Sequence, residues 1–375
     1  MSSRLLKKGL EIEIYAGTQE GNVLPLSKEL KTKFPFISQE PDQRNFEYIT
    51  PATPYYEKLF KSLIIPRLKI RDYLKKEGDY TLIPFSTIPL EYSKKFYPAK
   101  PNDPYCNMVQ KKYKTKVVTT SIHINIGINS HRNLFKLLPI LRLYVPLFLG
   151  LSASSAFHNG ENTGFQSFRW HNFPKTPKLV PYFTDHTSYI NWTNKKLSKK
   201  EMFNVRHLWS SIRPNGPDRP YKLNRIEIRI CDFISDPCKV LAVMALIECL
   251  CHKYLSEDNS PLILKSNLEK LQKITDLQEE KVAKYGLEAK IWDWRKDQVI
   301  KITDFIEDVY KENLKTAKML NINNFLTPIM KILEEGNEAS RHIKMYRKTA
   351  DIKKTVKHFT EEFTLLDLSL AKGYH

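Results

Sequence analysis

The sequence predicts an α+β protein: strands gathered into a sheet, helices backing that sheet, and a helical part packed on both from residue 256 onward. Three observations predict it. Four short segments alternate apolar and polar residues with period two, the pattern of half-buried strands. The run 134–151 is apolar enough to bury whole, and after Tyr254 the chain reads mostly as amphipathic helix. At 375 residues one large core is within reach, and 1–375 is read as a single domain whose first part, 1–255, holds the sheet and its functional loops.

The first strand is Gly9-Leu10-Glu11-Ile12-Glu13-Ile14-Tyr15, with Leu10, Ile12 and Ile14 on one face and Glu11 and Glu13 on the other. Residues i and i+2 of a strand lie roughly 7 Å apart. That exceeds a hydrogen bond but suits carboxylates holding metal ions between or beside them. A solvated acidic face explains one such strand taken alone; recurrence of the pattern changes the reading. Residues 17–38 read as loop and a short helix, and Glu40-Pro41-Asp42 leads into a strand that sets Glu47 beside Asn45 and opposite Phe46 and Tyr48.

Thr53-Pro54 opens a helical run through Tyr73, with Leu59, Leu63, Ile64, Leu68 and Ile70 at core spacing. Residues 80–90 return to strand character, and proline-rich connections reach Pro104. The third strand, 120–128, puts isoleucines on one face and Ser121, His123, Asn125 and Gly127 on the other. Asn129-Ser130 caps the apolar helix, which would cover the isoleucine face.

Residues 152–221 are long, aperiodic and rich in Gly, Pro, Ser, Asn and aromatics, as functional loops are. His158, Trp170, His171, His207 and Trp209 argue against disorder there, and Arg169, Arg206, Arg213 and Arg219 supply forks suited to carboxylates and phosphates. Arg213 has the stiffest context, Trp209-Ser210-Ser211-Ile212-Arg213-Pro214-Asn215-Gly216. The fourth strand, 224–231, sets Ile226, Ile228 and Ile230 against Arg225, Glu227, Arg229 and Cys231. Ser235-Asp236-Pro237 then starts a helix through Tyr254, and Ile291-Trp292-Asp293-Trp294 and 336–341 are landmarks in the helical remainder.

If the four strands share a sheet, one face gathers Glu11, Glu13, Glu47, Glu227, His123 and Arg229. Two like charges about 4 Å apart repel by roughly 4 kcal/mol at an effective dielectric near 20, so clustered glutamates demand cations. Oxygen ligands with one imidazole suit Mg or Mn better than zinc.

Net charge is +19, and 39 Lys and Arg against 21 Asp and Glu precede residue 257, with 21 against 20 from Glu257 onward. The basicity therefore sits with the strands, where a polyanionic small substrate would use it. Five cysteines, odd in number and without C-x-x-C spacing, point to a reduced, cytoplasmic protein. No apolar segment follows the charged residues 1–8, so no signal peptide is expected. The run 134–151 contains Lys136, Arg142, Pro139 and Pro146, which favours a buried helix over a membrane span. No P-loop, dinucleotide fingerprint, G-x-S-x-G or H-E-x-x-H motif occurs. A nucleotide would have to be held through metal-bridged phosphates on the carboxylate face.

The segments GLEIEIY (9–15), EPDQRNFEYITP (40–51), TSIHINIGI (120–128), LGLSASSAFHNGENTGFQSFRWHNFP (149–174), VRHLWSSIRPNG (205–216) and LNRIEIRICD (223–232) together resemble glutamate–cysteine ligases of the second, cyanobacterial-type family, over about two-thirds of the chain. The resemblance implies a glutamine-synthetase-like catalytic fold, a curved, mainly antiparallel sheet whose concave face holds divalent metals and ATP, backed by helices. It implies that the γ-carboxylate of glutamate takes the γ-phosphoryl group of ATP and that the amine of cysteine then displaces phosphate. Carried over by position, Glu11, Glu13, Glu47, Glu227 and His123 would hold Mg or Mn. Arg229 would neutralise phosphoryl charge, Arg213 and Arg169 would grip substrate, and Asn125 and Asp42 would complete the substrate and ATP site. Ala156 stands where the family usually has proline, which softens a loop and removes no functional group.

Glutamate, cysteine and ATP are the partners expected, with neither nucleic acid nor membrane. The alternatives are a sister ligase using another amine, a metal-dependent phosphotransferase that stops at phosphoryl transfer, and a nucleic-acid-binding protein resting on charge alone.

Overall fold

The computed structural model describes residues 5–256 and 267–372. In chain order it runs β1 (Lys8–Thr18), α1 (Ser27–Lys33), β2 (Ile37–Gln39), β3 (Asn45–Ile49), α2 (Tyr56–Gly78), β4 (Tyr80–Ile83), α3 (Pro104–Tyr113), β5 (Ile122–Gly127), α4 (His131–Ser152), β6 (Phe157–His158), β7 (Glu161–Asn162), α5 (Phe168–Asn172), α6 (His186–Ser198), β8 (Ile212–Asn215), β9 (Arg225–Ile228) and α7 (Pro237–Ser256). Beyond these lie α8 (Leu268–Tyr285), the hairpin β10 (Lys290–Asp293) and β11 (Gln298–Lys301), α9 (Ile302–Leu320), α10 (Asn323–Leu326), α11 (Pro328–Glu335), α12 (Glu338–Thr349) and α13 (Ile352–Lys372).

The fold is α+β, with an antiparallel sheet of seven strands ordered β2-β3-β1-β5-β9-β8 and β4 also on β1. β1 is long enough to serve three neighbours: β3 takes one edge, while β5 pairs with residues 8–12 and β4 with residues 15–18 along the other. The four expected strands are all present. The strand expected from Tyr80 is present as β4, and the sheet adds β2 and β8, which are too short to show a period.

Register decides what each face carries. Leu10 opposes Ile124, Ile12 opposes Ile122 and Tyr48, Ile14 opposes Phe46, and Ile228 opposes both Ile124 and Ile212. These side chains are almost wholly buried and form one core with α2, α4 and α7. At about 25 cal/mol per Å² of apolar area removed from water, a face of this kind is the main source of stability. Ser130 caps α4 as expected, its hydroxyl accepting from the Asn133 amide. Of the described helices, α4 alone is long and apolar enough to span a bilayer, and 94% of its most apolar window is buried inside the protein. Arg142 does not break it: the guanidinium donates to the Pro181 carbonyl at 2.8 Å and pairs with Asp276 of α8.

Several boundaries differ from the sequence expectations. The helix expected from Thr53-Pro54 to Tyr73 begins at Tyr56 and runs to Gly78 through Pro66, ending at Asp79 with φ 53°. Strand character after Tyr80 stops at Ile83, where Pro84 cannot donate to a ladder. Residues 152–221 contain a thirteen-residue helix, α6, capped by Asp185. Ile291-Trp292-Asp293 lies in a β-hairpin, not a helix.

Candidate active site

On the polar face the register places the carboxylates in rows. Glu13 lies opposite Glu47, Glu11 opposite His123, and Glu227 opposite both Asn125 and Arg213. His123 is the centre of the group: its Nδ1 is 3.0 Å from Glu11 Oε2 and 3.9 Å from Glu227 Oε1, and its Nε2 is 3.7 Å from Glu13 Oε1. Ser121 donates to Glu13 at 2.6 Å, and Asn125 donates to Glu11 at 3.1 Å. Together with α3, the 204–213 segment and α5, this face encloses a cavity of about 330 Å³.

The charges on the two sides of His123 differ. Glu227 is wholly buried; burial alone would raise its carboxyl, but Arg213 and Arg229 outweigh that and hold it well below the usual carboxylate range. Arg213 makes a bidentate fork on it at 2.8 and 3.0 Å, Asn215 donates at 2.7 Å, and Arg229 closes the set. On the other side Lys100, Arg229 and Arg206 pull on Glu40 but do not outweigh burial and the neighbouring carboxylates. Burial and then the neighbouring Glu40, Glu11 and Glu13 push Glu47 well above the usual range, and burial and Glu13 push Glu40 up to about 7. This side is short of positive charge.

A divalent cation would meet that deficit. Donor atoms of Glu11, His123 and Glu227, and of Glu13, Glu47 and His123, lie within 4.8 Å of one another. The set is oxygen-rich with one imidazole, as Mg and Mn prefer. The buried Asn45 Oδ1 and Gln39 Nε2, both of residues lining the cavity, have no hydrogen-bond partner among the described residues. Buried polar atoms are usually paired, so these two leave one acceptor and one donor unused at the cavity lining. The residues fit the metal that the resemblance implies.

Three expected substrate residues are already held by protein partners. Asp42 is not at the carboxylate face: it accepts from Arg44 Nε and Nη2 at 2.8 Å and from the Arg44 and Tyr97 amides at 3.0 Å, and so holds the turn before β3. Arg169 lines the cavity, but its Nε is bound to Asp232 at 2.7 Å and its Nη2 to the Ile230 and Cys231 carbonyls. Asn125 stands between Glu11 and Arg225, orienting the former.

Glu40 is the residue the sequence reading missed. Ser38 opposes Glu47 across β2 and β3, so Glu40, two residues on, continues the same face. The signal existed but spans only four residues.

One of the C-terminal helices, α8, supports the cavity wall from behind. The Ala283 carbonyl of α8 accepts from the Gln166 and Ser167 amides, and Glu279 accepts from the Trp170 indole at 3.0 Å, fixing the cavity wall that α5 forms. Burial and Asp276 push the Glu279 carboxyl from 4.5 to about 7, against the pull of Lys175 and Arg142. The folded state therefore binds this proton more tightly than the unfolded chain does. The stability it contributes is full below about pH 4.5 and is lost as pH rises through about 7. Glu279→Gln stays neutral, so between pH 5.5 and 8 it is expected to lose less stability than the parent by on the order of 2 kcal/mol. Urea unfolding at the two pH values checks this; equal losses in both proteins would refute the assignment.

By fold, the chain stands with the glutamate–cysteine ligases and glutathione synthetases. A bifunctional glutathione synthetase from Pasteurella multocida matches 97% of the chain with a TM-score of 0.75 at 14% identity, the chain spanning about half (53%) of that protein. The glutamate–cysteine ligase of Francisella tularensis, solved in complex with AMP, matches 97% of the chain and 89% of its own length with a TM-score of 0.73 at 13% identity. The chain belongs to glutamate–cysteine ligase family 2, whose family model matches residues 7–358. Among relatives, a protein of Solibacter usitatus provisionally named glutamate–cysteine ligase 2 is 26% identical over 70% of this chain and 67% of its own. One of Frankia alni, with the provisional name glutamate–cysteine ligase 2-1, is 27% identical over 66% of this chain and 63% of its own. The protein is thus an enzyme of the glutamate–cysteine ligase type.

Proposed function

We propose that the chain is an ATP-dependent ligase joining the γ-carboxylate of L-glutamate to the amine of L-cysteine through a γ-glutamyl phosphate. The products are γ-glutamylcysteine, ADP and phosphate, the first step of glutathione biosynthesis. The observation that carries this reading is one cavity in which Glu11, Glu13, Glu40, Glu47 and His123 share a wall with Arg229. Family membership and the AMP held by the Francisella enzyme support it.

In this reading a γ-carboxylate oxygen of glutamate attacks the terminal phosphorus and the bond to the ADP oxygen breaks. The amine then attacks the acyl carbon, phosphate leaves, and the amine loses its proton. Mg or Mn, held by Glu11, Glu13, Glu47, Glu227 and His123 with Glu40 beside them, supplies charge neutralisation on the phosphates when bound. Arg229 offers a positive charge already held in place by Glu227, so little reorganisation accompanies the reaction. Arg213 keeps Glu227 and Arg229 in register, and Arg169, tied to Asp232, holds the wall. The high positive charge of the first 256 residues is used here on anionic substrates, with Lys100, Arg206, Arg213, Arg219 and Arg229 all lining the cavity. All five cysteines are free thiols, in keeping with the cytoplasmic setting proposed.

Phosphate release from Mg-ATP with glutamate, with cysteine and then other amines added and the products weighed, tests the reading. Glutamate-dependent turnover that requires cysteine and yields γ-glutamylcysteine is expected. Turnover with a different amine moves the enzyme to a sister activity, and phosphate transfer with no amine requirement makes it a phosphotransferase.

A further inference from the structure

Five arginines surround the cavity, and the structure separates them by what they already hold. Arg169 is committed to Asp232 and to backbone carbonyls, Arg213 to Glu227 and the Leu208 carbonyl, and Arg229 to Glu227. Each of the three already has a carboxylate partner, and Arg213 has Nε, Nη1 and Nη2 all engaged, so a substrate carboxylate would have to share these guanidiniums with a protein anion. Arg206 is exposed and lies over the Tyr105 ring at 5.2 Å.

Arg219 differs from all four. Its Nη1 is buried and has no hydrogen-bond partner among the described residues, and no carboxylate pairs with it there. Burial and then the Arg213 guanidinium lower its pKa to about 10, the effect of a desolvated cation beside another cation. The position is not that of a loose surface chain. Arg219 sits in the β8–β9 connection, where the Asp218 carbonyl accepts from the Tyr221 and Lys222 amides and the His186 ring lies 2.8 Å from the Pro220 carbonyl. The connection is tight: a Cβ on Gly216 would come within 2.1 Å of the Lys222 carbonyl oxygen.

We infer that Arg219 is the residue that receives the α-carboxylate of an amino-acid substrate. A held, half-buried guanidinium without a counter-ion is stabilised by a bound anion, and a fork of N–H donors matches a carboxylate in a bidentate pair. A single cation suits a singly charged carboxylate, whereas the polyphosphate has the carboxylate-held metals and Arg229 to neutralise it. The inference rests on the ligase reading above and deepens it.

The test is a steady-state comparison of the parent enzyme with Arg219→Gln and Arg219→Lys, with the KM of glutamate, of the amine and of Mg-ATP each measured at saturation of the other two. Charge-assisted bonds of this kind contribute about 1.5–3 kcal/mol, so the KM of one amino acid is expected to rise roughly 10- to 150-fold in Arg219→Gln. The KM of ATP should stay within about threefold, and Arg219→Lys should recover part of the loss. Which amino acid shifts identifies whose carboxylate is held. The α-carboxamide of that amino acid should be a poor substrate for the parent and no worse for Arg219→Gln. A shift confined to ATP, or no shift at all, overturns the inference while leaving the ligase reading intact. If the parent turns over no glutamate, the ligase reading fails. Calorimetric titration with glutamate and with cysteine then decides the inference: Arg219 stands if the parent binds one of them and Arg219→Gln does so at least tenfold more weakly, and falls otherwise.

Discussion

Glu227→Gln is expected to lower turnover by at least about 10³-fold and to cost about 3–5 kcal/mol of stability. Both losses follow from the same place in the structure. The carboxylate is wholly buried and accepts from Arg213, Arg229 and Asn215. A carboxamide offers one acceptor where two are needed and turns an N–H₂ toward a guanidinium. Two neighbouring cations lose their shared anion, so Arg229 leaves the position from which it is proposed to neutralise phosphoryl charge. Because instability would mimic inactivity, Glu11→Gln is the companion variant. Glu11 is partly exposed, and its bonds are to Asn125 and His123. Its stability should change by less than about 1 kcal/mol. The Mg or Mn needed for half-maximal turnover should rise by at least about 10- to 100-fold. Turnover within tenfold of the parent in both variants, at unchanged metal requirement, would remove the carboxylate face from the mechanism.

Asp367→Ala is expected to lower the thermal midpoint by roughly 5–10 °C, from a loss of about 3–5 kcal/mol. Asp367 has no exposed surface and receives Arg67 on one oxygen and Arg71, at 2.8 Å, on the other. Both guanidiniums also lie over the Phe363 ring, at 4.7 and 4.4 Å. Removing the aspartate leaves two buried cations side by side. A protein whose total margin is about 5–15 kcal/mol feels such a loss throughout. Replacing the triad together, Arg67→Met, Arg71→Leu and Asp367→Leu, should restore most of the midpoint, because well-packed apolar groups of similar size often do as well as a buried ion pair. Asp367 is on α13 and the arginines are on α2, so the bond fastens the last helix to the helix that follows β3. We therefore propose that the helices after residue 256 belong to one catalytic domain with the sheet, as the contacts of α8 with the cavity wall also suggest. Calorimetric scans of the single and triple variants give the result. A single-variant midpoint within 2 °C of the parent would count against a structural role for the triad.

Where chemistry follows a short-range rule, the sequence by itself determined it. Period two put Glu11 with Glu13, set His123 opposite isoleucines and placed Glu227 with Arg229, and the backbone pairs bring these strands into one sheet. The cap at Ser130 and the helix start at Pro237 were equally local, as was the burial of the apolar helix between them. Only the tertiary structure decided which charge faces which. Asp42 and Glu40 are two residues apart, yet one closes on Arg44 and the other lies at the cavity. Arg169, Arg213 and Arg219 lie in one aperiodic stretch of sequence, and their difference is that Asp232, beyond the end of β9, and Glu227, across the β8–β9 ladder, reach the first two and pair with neither nitrogen end of the third. The physical reason is range. Alternation and capping act over two to four residues and are written in the order of the chain, whereas an ion pair depends on distances of a few ångströms between segments that only the folded sheet brings together.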